Sequence, residues 1–203
     1  MSIAKGTGYV QGSRRAAAGK LASHIKYLEH RPRGAEETRD DRTIFSEQRD
    51  AVGRHQAIDD VMNHTSSAVN YHRLVLSPSK DEPVSDWQEW TRRVMRDLEV
   101  FKRQELHWYA VKHSNTDDPH VHIVLAGSGE RFTNGRPQAV KMYAQDYAFL
   151  RERGREHSGH DQLQQDRELT AQIDREPERL EAYTHSATKT NERDVTRSRG
   201  IDR

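Results

Sequence analysis

The most constraining feature of the chain is a pair of short segments, HWYAVKH at residues 107–113 and HVHIVLAG at 120–127, separated by the turn-forming cluster SNTDDP. Strand formers on both sides of a short polar link predict two strands paired as a hairpin. In a strand, residues two apart project from one face. His120 and His122 therefore share a face, and Val121 and Ile123 occupy the opposite, apolar one. His113 ends the first strand and lies close to His120 across the hairpin. Three imidazoles are thus predicted to gather at one end of a hairpin. Imidazole is a common neutral ligand, and three on rigid strands suit a divalent ion. They leave coordination positions open, as a catalytic site needs and a closed structural site does not. Asp117 and Asp118 in the turn are placed to accept hydrogen bonds from the distal imidazole nitrogens. A lone histidine in a half-exposed strand is usually a bystander; three of them with two acids between weigh toward a metal.

The rest of the chain bounds the context. Its 203 residues allow one domain, or one domain with a tail. Only 33% are hydrophobic, below the roughly 45–50% (Gly included) of an ordinary globule, so a normal core with a polar flank is expected. No stretch approaches the roughly 18 apolar residues of a membrane span. The N-terminus has no apolar run, so no secretory signal is read there. The absence of Cys excludes a thiolate metal site and a Cys nucleophile, and fits a cytoplasmic protein. Net charge is +1, yet residues 1–33 carry seven bases against one acid. That arm is a candidate footprint for a phosphate backbone, or simply a solvated terminus.

Residues 1–19 read as extended, 20–28 as a helix with Leu21, Ile25 and Leu28 inward, and 35–50 as a charged loop or solvated helix. A short helix is predicted at 56–66 and a strand at 69–77 (VNYHRLVLS). A helix over 84–104 has a core-facing stripe of Trp87, Trp90, Val94, Leu98 and Phe101. At that spacing the Trp pair reads as packing rather than a base-stacking platform. Residues 139–156 read as another helix, with Val140, Tyr143, Tyr147 and Leu150 near one face. From 157 onward charges nearly cancel and apolar residues thin out. The expected division is a domain at 1–156 and a charged helical or disordered tail at 157–203.

The string from His113 through Asp117, Asp118 and Pro119 to His120-Val121-His122 resembles the third motif of MOBP-type conjugative relaxases and mobilisation proteins. These belong to the HUH endonuclease superfamily. The chain departs from the usual pattern at Asn115, normally an acid, and at Asp118, normally Asn. His24-Ile25-Lys26-Tyr27-Leu28 is similar to the first motif, a Tyr near the end of an N-terminal helix. Tyr71-His72-Arg73-Leu74-Val75-Leu76-Ser77 resembles the second, a strand ending in Leu-Ser before a loop with an acid, here Asp81-Glu82. The order of the three motifs is the relaxase order, and the resemblance covers about residues 1–155.

The resemblance implies an α+β fold, with a central antiparallel sheet of five strands carrying the HUH hairpin and helices packed on its outer face. Pattern alone yields three to four strands, so the missing ones are sought in 5–13 and 127–140. It also implies a single-strand DNA endonuclease and transesterase that nicks and rejoins a transfer origin. Tyr27 would be the nucleophile and keep the 5′-phosphate; His113, His120 and His122 would hold the metal. Asp117 would orient a ligand, and Glu82 is a candidate base. Arg14, Arg15, Lys20, Lys26, His72 and Ser77 would contact single-stranded DNA. Mg²⁺ or Mn²⁺ is the implied cofactor, and the nitrogen-rich set also admits Zn²⁺ or Ni²⁺. The tail would serve accessory relaxosome or coupling proteins. Three other readings stay open. A rolling-circle replication initiator or transposase-type enzyme would use Tyr143 or Tyr147, which form Tyr-x-x-x-Tyr on the helix after the HUH strand. A non-catalytic DNA-binding accessory protein would bind without cutting. A metallohydrolase would use water and leave no adduct.

Overall fold

The computed structural model describes residues 2–30, 42–79, 84–114 and 119–159. Strand β1 (Ile3–Val10) is followed by helix α1 (Arg14–His30), strand β2 (Phe45–Ser46), helix α2 (Arg54–Asn63) and strand β3 (Tyr71–Ser77). Then come helix α3 (Trp87–Lys102), strands β4 (Trp108–His113), β5 (His120–Ala126), β6 (Ser128–Glu130) and β7 (Pro137–Ala139), and helix α4, residues 144–159. The order β1-β3-β5-β4-β2 builds a five-stranded sheet in which every pairing is antiparallel. The strand with two of the three hairpin histidines is therefore central. Strands β6 and β7 form a separate two-stranded ribbon.

Helices cover both faces of the sheet. Val121, Ile123 and Leu125 of β5 join Leu74, Leu76, Trp108 and Ala110 in a core capped by Trp90, Val94, Met95 and Leu98 of α3 and Leu150 of α4. Val124 and Ala126, one residue out of step, join Tyr71 and Val111 under Ala17, Leu21, Ile25 and Leu28 of α1 and Ala57, Val61 and Met62 of α2. The two-residue period of the strands thus separates two cores. Trp90, Val94 and Leu98 of the α3 stripe are buried. Phe101 is partly exposed and stacks on Phe149 of α4, ring centroids 4.3 Å apart. Trp90 donates from Nε1 to the Gly154 carbonyl at 3.0 Å, and Arg151 donates to the Ala4 carbonyl at 3.1 Å. These bonds tie α4 to α3 and to the first strand.

Two expectations need correcting. The helix expected from residue 20 begins at Arg14. Ser13 supplies its cap, with its hydroxyl 3.4 Å from the Ala16 N–H, and three alanines with high helix propensity follow. A missing strand does lie near 5–13, as β1. The other is not in 127–140, whose strands pair only with each other; it is β2, inside the presumed charged loop. Ile44 and Phe45 are buried there in a run of charges, and two paired residues are too few to show an alternation. Residues 160–203, nearly all of the expected tail, lie outside the described residues. No helix among the described residues is long and apolar enough to cross a membrane.

The turn from α3 to β4 contains a titrating group. Glu99 is buried on α3 and accepts the Leu106 N–H at 2.9 Å. Burial, with the nearby Glu47 and Glu105 carboxylates, raises its pKa from the ordinary 4.5 to about 7. The folded chain thus keeps a proton that the unfolded chain releases, so stability falls as pH rises from 4.5 to about 7. Glu99→Gln should flatten this dependence and raise stability above pH 7, by at most roughly 3 kcal/mol. Urea unfolding at pH 5 and pH 8 checks it; a variant with the wild-type pH dependence would show that another group is responsible.

Candidate active site

Antiparallel pairing sets the geometry of the histidines. His113, the last residue of β4, pairs directly with His120, the first of β5. His122, two residues on, pairs with Val111 on one side and Val75 on the other. All three imidazoles project to the face covered by α1. His113 is fully buried, while His120 and His122 are half-buried. Ring centroids are 4.7–5.7 Å apart, and the planes cross at 64–70°.

The donor atoms fit an ion. One nitrogen from each ring lies within 4.8 Å of the other two. The His120 and His122 Nε2 atoms are 3.1 Å apart. Two nitrogens about 2.1 Å from one tetrahedral or octahedral ion lie roughly 3.0–3.4 Å apart. The buried ring has a defined tautomer: His113 Nε2 is 3.0 Å from the Leu28 carbonyl, which can only accept, so Nε2 carries the proton and Nδ1 the lone pair.

A second cluster, Asp60, His64 and His107, shows what a poor fit looks like. Its two rings stack face to face, 3.5 Å apart and 19° from parallel, so their lone pairs run side by side. His64 Nδ1–H donates to the Asp60 carbonyl at 2.9 Å, and His107 Nε2 lies 2.7 Å from a Glu130 oxygen.

Leu28 also connects the histidines to the tyrosine. Tyr27 precedes it on the last turns of α1 and is 54% exposed. His24 lies three residues earlier, on the neighbouring turn. Its ring is edge-on to that of His122, centroids 6.4 Å apart. Burial, and then the Arg73 charge, lowers the His24 pKa and favours its neutral form.

Ser77 ends β3 and is buried. Its hydroxyl donates to the Pro119 carbonyl at 2.8 Å, fixing the residue that leads into His120. His72, five residues earlier, has the opposite parity and projects to the other face. There it is buried, and its Nε2 lies 2.9 Å from the Val140 carbonyl. Tyr143 and Tyr147 line a cavity together with His72, so the alternative nucleophiles lie across the sheet from the histidine trio. Burial, and then Asp146, raises the Tyr147 pKa, which disfavours its phenolate. Arg14, Arg15, Lys20 and Lys26 are exposed on α1, and Arg14 donates to Asn63 of α2 at 2.7 Å. Glu82 and Asp117 lie outside the described residues.

Arg73 of β3 lies on the same face of the sheet as the three histidines. It shares the parity of Val75, whose neighbour is His122. Its Nε is buried and makes no hydrogen bond among the described residues. Together with Lys20 and Ser23 of α1 it lines a trough of about 640 Å³. Strand parity was the available signal for Arg73, and helical spacing from Tyr27 was the signal for His24.

A structure titled as the conjugative relaxase TrwC in complex with oriT DNA, metal-bound, superimposes with a TM-score of 0.52 at 13% identity. The match covers 81% of this chain and 70% of that one, and it shows a shared fold. No curated protein matches the sequence. The family model described as relaxase, MobA/VirD2-like, nuclease domain, matches residues 27–156. That stretch exceeds half of the chain and runs from Tyr27 through both histidine-bearing strands, so the chain belongs to the MobA/VirD2-like relaxase family, as its nuclease domain.

Proposed function

We propose that this relaxase nicks and rejoins one DNA strand at a transfer origin through a covalent 5′-phosphotyrosyl link at Tyr27, aided by a divalent ion on His113, His120 and His122. The observation that carries the proposal is the hydrogen bond from His113 to the Leu28 carbonyl, which docks the Tyr27 helix against the ligand set. The metal-bound, DNA-bound title of the TrwC structure supports both cofactor and substrate class.

The Tyr27 oxygen attacks phosphorus, and the bond to the 3′ oxygen of the preceding nucleotide breaks. The 5′-phosphate stays on Tyr27, and the departing oxygen becomes a free 3′-OH after taking a proton. The linkage conserves the phosphodiester bond for rejoining. A phenol titrates near 10 and needs help to lose its proton. In this reading Glu82 takes that proton and Asp117 orients a ligand imidazole. Arg73, paired with Val124 on the same sheet face as His122, offers a charged fork to a non-bridging phosphate oxygen. The chemistry a bound divalent ion supplies is stabilisation of charge on that oxygen. Three nitrogen donors favour Mn²⁺, Zn²⁺ or Ni²⁺ over Mg²⁺ in affinity. Lys20, Lys26, Arg14 and Arg15 follow the backbone of the single strand along α1. The nuclease domain is assigned to residues 1–156. The remaining residues are assigned to accessory relaxosome or coupling partners, and the site of action to the cytoplasm.

The test is a covalent adduct. With Mn²⁺ and single-stranded oligonucleotides tiling the DNA beside its own gene, a denaturing gel should show a protein–DNA species that Tyr27→Phe abolishes. Mass spectrometry should place the DNA on the Tyr27 peptide; a mass shift on the peptide with Tyr143 and Tyr147 would overturn the assignment. Calorimetric titration with Mn²⁺ should give one site. His120→Ala should weaken it by more than the roughly 10–100-fold typical of losing an outer hydrogen-bond partner; unchanged affinity would move the metal elsewhere. Ser77→Ala should cost about 1–3 kcal/mol in urea unfolding, because the Pro119 carbonyl loses its donor. It should also lower the adduct yield without abolishing it.

A further inference from the structure

The face of the sheet opposite the histidines carries a cavity of about 710 Å³. It lies between β1 and the start of α4. Three tyrosines line it, Tyr9, Tyr143 and Tyr147, together with three cations, Lys5, Lys141 and Arg151. No acid lines it, in a chain with 32 acids to 33 bases. Tyr9 and Tyr143 are 60% and 54% exposed, large rings left facing water. Isolated exposed rings are ordinary, but a set of them in one concave basic surface marks a binding site.

The elements that carry the rings are tied to their surroundings. Tyr9 sits on β1 in register with His72. The Tyr143 N–H donates to Asp146 Oδ2 at 2.7 Å, and the same oxygen takes Lys102 Nζ at 2.9 Å. Lys102 Nζ is 5.7 Å from the centre of the Tyr143 ring, within cation–π range. Tyr147 packs its phenol over Gly6, where a Cβ has no room. Fixed phenol faces among cations have the chemistry of a surface that stacks unpaired bases and pairs with their phosphates.

The position of the cavity points the same way. Tyr9 and Gln11 line both this cavity and the trough that holds Lys20, Ser23 and Arg73 on the histidine face. Strand β1 is at the edge of the sheet. A single strand leaving the nicking site along α1 can therefore turn around this edge at Tyr9 and continue onto the opposite face.

We propose that this tyrosine-lined groove is a second binding site for single-stranded DNA, which takes the strand at a distance from the nick. Its choice of ligand rests on the relaxase reading above. The Tyr-x-x-x-Tyr pair is then a stacking platform and not a source of nucleophile.

The experiment is fluorescence anisotropy with the full chain, a labelled oligodeoxythymidylate of about 30 residues, and a duplex of equal length. Tyr143→Ala should weaken single-strand binding about tenfold, the lower part of the range for one lost base stack. Tyr143→Phe, which keeps the ring, should bind like the wild type, and duplex affinity should not change. Lys141→Ala should reduce the salt slope of single-strand binding by about 0.7. Tyr143→Ala within twofold of wild type would overturn the proposal. So would a Phe variant as weak as the Ala variant, or an equal loss on duplex. The readout needs no cleavage. A Tyr27 adduct with no effect of Tyr143 would sink this site alone. Tyr143-dependent binding with no adduct on any oligonucleotide would sink the nuclease assignment instead.

Discussion

The hydrogen bond between His113 and the Leu28 carbonyl is the contact on which the site's arrangement depends. The last carbonyls of a helix have no partner within it. Here one of them is buried against a fully enclosed imidazole and accepts a hydrogen bond from its Nε2–H. The bond fixes the end of α1, the rotation of the His113 ring, and the nitrogen left for a ligand. Tyr27, one residue from this anchor, cannot drift from the histidines without breaking a buried polar contact.

The sheet provides the complementary constraint. Central β5 is paired on both sides, so His122 is held by ladders to β3 and β4, and His120 by its pairing with His113 of β4. The apolar packing under α1 and α2 ends where these side chains begin, which leaves the imidazoles half-enclosed at the rim of a core. Charge there is less screened than in bulk water. His24 stands beside His122, Arg73 lies on the same sheet face, and burial, then the Arg73 charge, favours the neutral form of the His24 ring. Directional donors and one cation thus share the face on which the proposed reaction would seat a phosphate.

Much of this was legible in the sequence. The hairpin and its face of histidines followed from a period of two, and the α3 stripe from steps of three and four. The family resemblance is upheld by the family match. What escaped had physical reasons. The start of α1 is written in Ala, Gly and Arg, which carry propensity and a cap but no apolar period. Strand β2 is a strand by pairing and not by pattern. His72 was grouped with Ser77 because both stand in one motif, although five steps along a strand put them on opposite faces; a count of parity would have separated them and selected Arg73.

The limits of the matched family segment do not coincide with those of the folded unit. The match opens at Tyr27, within α1, yet β1 hydrogen-bonds to β3 along Ile3–Val10, and Arg151 reaches back to Ala4. A polypeptide trimmed to that segment would uncover the outer hydrogen-bonding row of β3. It would also strip Ala17, Leu21 and Ile25 from the packing over Tyr71. A bare, largely apolar strand edge invites pairing between molecules. Expression boundaries for this nuclease are therefore set by ladder hydrogen bonds, with the opening strand retained.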